Sequence, residues 1–228
     1  MTIVTPQLLI SAVGCTSLRA NLMAPHIAEA CDLGQVNTRR RLAMFLAEAG
    51  HESLGLSRLV ESLDYRADRL VAVFGAHRIS EAQAQQYGRR PGQRADQESI
   101  ANIVYGGAWG LEHLGNIEPG HGWLYRGRGI GQITGLDNHR ATTELLAKIP
   151  GAPDLLLNPE QLEAPRWAAL SFGAWWAERG LNEIADRGTP EAFDLISKRI
   201  NGGTKGTDDR RARWARAVSA LSTTQLPR

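Results

Sequence analysis

The chain has 228 residues, of which 43% are hydrophobic and 22% charged. That length can bury a sizeable core, and the balance excludes a disordered or collagen-like chain. The formal charge is only +2, and with no wider basic surface or recognisable module the Arg210–Ala217 stretch RRARWARA does not point to nucleic acid. Lys148, Lys198 and Lys205 are the only lysines, so the cationic side is almost entirely arginine. Arginine suits planar, bidentate partners such as carboxylates. Cys15 and Cys31, the only cysteines, form no C-x-x-C pair and no disulfide framework, which fits a reducing compartment.

At the N-terminus, MTIVTPQLLISAVGC has the apolar character of a leader, and Ala12-Val13-Gly14-Cys15 resembles a lipid-attachment box. No lysine or arginine precedes it, however, Pro6 and Gln7 interrupt it, and Arg19 follows closely. It reads as a short helix packed on the core. No apolar run approaches the ~20 residues that cross a bilayer, so the expectation is a protein made in the cytoplasm without a signal peptide and without stable membrane insertion.

Asn37 and Thr38 are cap candidates for a helix through RRRLAMFLAEAGHES, where Leu42, Phe45, Leu46 and Ala49 recur at helical spacing and Gly55 marks the stop. ISEAQAQQYGRR and ESIANIVYG read as further helices on either side of a polar stretch from Pro91 to Gln97. From Gly106 to Gly135 the chain is glycine-rich and aromatic with little periodicity, and it is expected to be a long functional loop holding at most a small hairpin. Helical patterns return in HRATTELLAKI and in PRWAALSFGAWWAERG with Pro165 in the first turn. TPEAFDLISKRINGG follows, capped by Thr189 and stopped by Gly202-Gly203, and then DDRRARWARAVSAL with acids at its positive end. There are no repeats and no Gly/Ser- or Pro-rich linker that would tether a separate wall-binding module.

Three segments carry chemistry. In AEAGHES, Glu48 and Glu52 share one helix face with His51 beside them. A zinc protease motif H-E-x-x-H would need a second histidine at position 55, where Gly55 stands, so no metal site is expected. Glu61 lies nine residues beyond Glu52, on the opposite face of any continuous helix, but a turn at Gly55 can bring it across a cleft. Inverting hydrolysis of a glycosidic bond needs that arrangement: an acid on one side and a base on the other, ~6.5–9.5 Å apart, with a water between. An acid of this kind requires a carboxyl whose pKa is raised by a partly apolar setting. Asp64 is the rival base, read as a turn or cap residue. The third segment, YRGRGIGQITG from Tyr125 to Gly135, begins like a dinucleotide loop but has Gln132 where the last glycine belongs. It reads as backbone brought close to a polymer, with Gln132 and Thr134 offering hydrogen bonds and Thr134 placed to hold a water. Trp123 and Trp109 could stack on sugar rings, whereas Trp167, Trp175, Trp176 and Trp214 sit on helices and read as core.

AEAGHES, VESLDY, YRGRGIGQITGLDNH and RINGG, in this order over about residues 39–216, resemble glycoside hydrolase family 19, in particular its phage and prophage endolysin branch. The resemblance implies a mainly α, lysozyme-like fold. It implies one catalytic domain over 1–228, with a core lobe of about 1–65 and 122–228 and a smaller lobe of about 66–121 beside the cleft. It also implies an inverting mechanism without cofactor. Glu52 matches the general acid, Glu61 the general base of the endolysin branch, and Thr134 the residue holding the nucleophilic water. Gln132, Asn138 and Asn201 match polar residues of the sugar cleft; Tyr125, Arg128 and Trp123 are further candidate substrate contacts. His51 and either Arg211 or Arg213 would support the carboxylates. One stretch departs from the pattern: GGAWGLEHLGNIEPGHG carries His121 where the endolysins have an aspartate.

The expected activity is hydrolysis of the β-1,4 bond between N-acetylmuramic acid and N-acetylglucosamine in peptidoglycan, causing host lysis. The expected partners are the glycan strands and a holin-type membrane pore that lets a monomeric enzyme reach the periplasmic wall. A chitinase and a catalytically inactive wall-binding homologue are the alternatives.

Overall fold

A computed structural model describes residues 4–223. They form thirteen helices: α1 (Pro6–Val13), α2 (Ser17–Leu33), α3 (Arg39–Glu52), α4 (Ala67–Phe74), α5 (Glu81–Tyr87), α6 (Gln97–Val104), α7 (Gly107–Leu114), α8 (His121–Leu124), α9 (Leu136–Leu146), α10 (Pro165–Glu178), α11 (Leu181–Ala185), α12 (Pro190–Asn201) and α13 (Thr207–Thr223). A 3-10 turn, Pro159–Glu163, precedes α10. The architecture is mainly helical, and among the described residues the only β-type pairings are isolated bridges. Among the described residues, no helix is long and apolar enough to cross a membrane.

Local chemistry accounts for the helix boundaries. The Thr5, Thr38 and Thr189 hydroxyls each accept a backbone N–H of the first turn, and Ser80 with Gln83 makes a reciprocal capping box. Asn37 is not a cap; its carboxamide oxygen accepts from Arg41. The N-terminal apolar stretch is the short core-packed helix α1, with Leu8, Leu9, Ala12 and Val13 buried.

α3 is apolar nearly all round from Leu42 to Gly50, and every one of those residues is buried, as expected of a helix with protein on all sides. Phe45 packs 5.0 Å from Phe172 and 5.2 Å from Trp176, measured between ring centres. α13 lies along one flank of α3, α1 packs against α2, α3 and α13, and α10 packs along α2. Together they enclose the principal core. A second core is formed by Leu63, Leu70, Phe74, Ile79, Ala84, Ile100, Ala101 and Val104, with Tyr105 and Trp123 at its margin. A third joins Ile133, Leu146, Leu155, Leu162, Trp167, Leu170 and Ala174.

The stretch from Gly106 to Gly135 is not one long loop. It contains α7 and α8, and only its last part forms the small hairpin, in which Arg128 and Ile133 exchange backbone hydrogen bonds of 3.1 and 2.8 Å. Some of its glycines, such as Gly107 and Gly120, take a left-handed φ, and others are there for contact. A Cβ on Gly110 would sit 2.1 Å from the Tyr105 carbonyl oxygen, and one on Gly122 would sit 2.4 Å from that of Ala101. Only bare backbone packs that closely.

Candidate active site

Glu48 and Glu52 lie one turn apart at the C-terminal end of α3, and a single guanidinium joins them. Arg210, buried in the first turn of α13, gives Nη1 to Glu48 and Nη2 to Glu52. Ser197 of α12 donates its hydroxyl to the other oxygen of Glu48. Burial pushes the Glu48 carboxyl up to about 7, against the pull of Arg210 and the Ser197 hydrogen bond and with the help of the neighbouring Glu52 charge. The more deeply buried carboxyl of this pair is Glu48, a residue to which the sequence assigns no role.

The expectation that Arg211 or Arg213 pairs with these carboxylates is corrected. Arg211 is exposed and bonds Asp194, while Arg213 bonds Asp209 and the Val13 carbonyl. The reason is helical phase. Arg210, Ala217 and Leu221 are the buried positions of α13, spaced seven and four apart, and 211 and 213 fall off that stripe. His51 is a support of another kind: its Nδ1 lies 2.7 Å from Asp209 Oδ2, tying the end of α3 to the start of α13.

Beyond Glu52 the chain reverses through Leu54, Gly55 and Leu56, with φ of 48°, 70° and 61°. Three consecutive left-handed residues are uncommon, and the Ser53 hydroxyl braces them by donating to Ala49 O and accepting from Leu56 N. The chain then runs extended beside the hairpin. Glu61 N donates to Gly127 O at 2.8 Å, Gly129 N to Leu59 O at 2.9 Å, and Val60 bridges Arg128.

This pairing fixes Glu61. Tyr105 donates its hydroxyl to Oε1 at 2.6 Å and Gly127 N approaches Oε2 at 3.3 Å. Burial raises the Glu61 pKa, while the Tyr105 and Gly127 hydrogen bonds and the Arg126 and Arg58 charges hold it down. Asp64, the rival carboxylate, pairs with Arg89 on the surface at 3.1 Å.

Gln132 sits at the hairpin tip with φ +49°, an unusual conformation for a side chain of its size. Its amide donates to Gly129 O, and its Oε1 comes within 3.0 Å of where a Gly127 Cβ would stand, the same point that lies 3.3 Å from Glu61 Oε2. Gln132 and Glu61 are thus close neighbours. Thr134 donates to Gln132 O and Asn138 to Thr134 O, so the three side chains form one row. They line a cavity of about 210 Å³ shared with Phe172, Trp175, Trp176, Arg179 and Ile200. Asn201 is not among its lining residues and spends its amide inside its own loop, donating to Lys205 O and accepting from Gly203 N.

Three further candidate substrate contacts are engaged within the protein itself. Arg128 is buried, paired with Glu163 at 2.8 Å and bonded to the Leu124 carbonyl. Tyr125 is buried with its hydroxyl on Leu156 O at 3.0 Å. Trp123 packs on the second core with the Arg126 guanidinium 3.6 Å from its ring centre. Alternation explains the first: in a paired segment successive side chains point to opposite faces, so Gly127 and Arg128 cannot both front the same space. Trp109 is likewise engaged, stacked on His113 and carrying Arg78 at 3.8 Å. Among the described residues, no three His, Cys, Asp or Glu side chains come together as a metal site.

Over 178 residues the chain is 34% identical to a glycosyl hydrolase family 19 domain-containing protein of Haemophilus influenzae, covering 78% of each chain. No protein-family model matches it. The likeness defines the protein as a glycoside hydrolase. The chain belongs to glycoside hydrolase family 19, and its helical architecture is the lysozyme-like one that the family implies.

Proposed function

We propose that this glycoside hydrolase is an endolysin-type muramidase that cleaves the β-1,4 bond between N-acetylmuramic acid and N-acetylglucosamine with inversion. Glu52 protonates the leaving oxygen, and Arg210, itself ion-paired with Glu48, holds it at the end of α3. Glu61 takes a proton from the attacking water, which Thr134 orients, and Gln132 and Asn138 position the sugar. The observation that carries the reading is the setting of Glu61. It is drawn out of water, oriented by Tyr105 and the Gly127 amide, and locked beside Gln132 by backbone pairing. A base so fixed needs no reorganisation when the water arrives.

In this reading the substrate lies between the principal core and the helices built on the second core. The enzyme acts as a monomer on periplasmic wall and depends on a holin-type pore for access. The test is mass spectrometry of fragments released from purified Gram-negative sacculi by the wild type and by Glu52→Gln. Fragments ending in reducing N-acetylmuramic acid, absent with the variant, are the expected result. Intact strands from sacculi together with cleavage of glycol chitin would replace it with a chitinase. Intact strands with both substrates, but sedimentation with sacculi, would leave a wall-binding protein.

A further inference from the structure

The cavity beside Thr134 contains a feature that the acid–base chemistry does not use. Neither Glu52 nor Glu61 lines it, so it stands next to the chemistry and not within it. Its floor is aromatic, from Phe172, Trp175 and Trp176, and its polar side is the row Gln132, Thr134 and Asn138. Arg179, at the C-terminal end of α10, also lines it.

Arg179 is held firmly and left with its charge uncompensated. Its Nη1 donates to Arg199 O at 3.1 Å while Arg199 Nη1 donates back to Arg179 O at 3.0 Å, a reciprocal clamp between the ends of α10 and α12. The guanidinium lies 4.8 Å from the Trp175 ring centre. No ion pair among the described residues includes it. Burial alone moves its pKa, downward, with no carboxylate near enough to raise it. Several other guanidiniums of the chain are matched to acids: Arg41 to Asp186, Arg128 to Glu163, Arg166 to Glu29 and Arg211 to Asp194. A clamped guanidinium without a counter-ion suits a carboxylate, because its remaining donors form a planar fork.

We propose that Arg179 and its pocket bind a carboxylate carried on the 3-O substituent of the muramic sugar, and so distinguish peptidoglycan from chitin. The inference rests on the muramidase reading for its substrate. Two groups can supply the charge: the lactyl carboxyl of a strand freed of peptide, or a carboxyl of the stem peptide in intact wall. N-acetylglucosamine polymers carry neither, so for them the pocket offers only stacking and neutral hydrogen bonds.

The experiment compares wild type, Arg179→Ala and Arg179→Lys on intact sacculi, on glycan strands stripped of stem peptides, and on a chitin hexasaccharide, with thermal unfolding of each variant as a fold control. The expected result is a fall in kcat/KM for Arg179→Ala at least tenfold greater on one muramic substrate than on chitin. Arg179→Lys should recover part of the loss, since it restores charge without the fork. A loss confined to sacculi assigns the stem-peptide carboxyl, and a loss confined to stripped strands assigns the lactyl group. An equal fall on all three substrates, or none on any, overturns the proposal. A binding measurement separates its failure from that of the muramidase reading. Free N-acetylmuramic acid or muramyl dipeptide, which carries a peptide carboxyl, should bind the wild type more tightly than N-acetylglucosamine, and that preference should vanish in Arg179→Ala, whether or not sacculi are cut. Equal binding of all three by the wild type would refute the carboxylate pocket on its own.

Discussion

Arg210 neutralises one of two carboxylates and is shared by both, so the α3–α13 cluster holds its charges under tension that pH can release. Glu48 sits at about 7 in the fold against an ordinary value of 4.5. The native state therefore binds the proton more tightly than the unfolded chain. This contribution to stability is fully present below about 4.5 and is lost as pH rises through about 7, amounting to on the order of 3 kcal/mol for a shift of that size. Denaturant unfolding at pH 5 and pH 7.5 should show that decline in the wild type and a flatter dependence in Glu48→Gln, which is neutral at both; equal slopes would remove Glu48 from the account. Glu61 offers a kinetic counterpart. Its pKa is raised by burial and restrained by the Tyr105 hydroxyl, so Tyr105→Phe should move it further up. A base must be ionised to act, so the acid limb of the kcat/KM profile should shift to higher pH in Tyr105→Phe while the fold survives. An unmoved limb would mean that Glu61 does not set it. Glu52 and Glu61 stand out as candidates in the sequence because carboxylates in a recognisable order are a strong signal. Arg210 does not, although the spacing Arg210, Trp214, Ala217, Leu221 already marks one stripe of α13. Choosing among adjacent arginines required helical phase, and phase is settled by what α13 packs against.

Helix starts written in capping chemistry were readable from the chain, as at Thr38, Thr189 and Pro165. The elements that were missed are those whose cause lies elsewhere in the molecule. α7 and α8 look like loop because glycine is a poor helix former. They exist because Gly110 and Gly122 lie against the Tyr105 and Ala101 carbonyls, a contact that no local propensity contains. The turn after α3 is a mixed case. Gly55 announced a break, but the left-handed conformation of Leu54 and Leu56 on either side was hidden, since leucine does not favour it. This turn sets the path from Glu52 to Glu61, and substitutions in it should behave oppositely. Gly55→Ala places a Cβ in the left-handed region and should destabilise by about 1–2 kcal/mol. Leu54 is exposed, so Leu54→Gly relieves the same strain with little loss of packing and should be neutral or stabilising by up to about 1 kcal/mol. Urea midpoints would check the pair, and a loss in both would mean that the turn is held by its side chains instead of its backbone.

The second core is small. Eight buried residues between Leu63 and Val104 hold α4, α5 and α6 together, whereas the principal core gathers side chains from α1, α2, α3, α10, α11, α12 and α13. The two meet where the Tyr105 hydroxyl reaches Glu61 and where the extended chain at Val60 pairs with the hairpin. Apolar burial scales with the area removed from water, so a unit with fewer buried side chains should open at a lower free energy than the rest. Native-state hydrogen exchange should therefore show the amides of α4–α6 exchanging through an opening well below global unfolding, while those of α3, α10 and α13 exchange only globally. The catalytic assignment adds a second expectation. If Glu61, Gln132 and Thr134 engage a bound glycan, an N-acetylglucosamine oligosaccharide should raise protection at the Tyr105–Glu61 junction and in α6, and leave α1 and α2 unchanged. Protection rising uniformly would indicate stabilisation of the whole fold by binding at some other place. Protection confined to α12 and the end of α10 would put the sugar in the Arg179 pocket and away from the base, and the assignment of Glu61 would then fail.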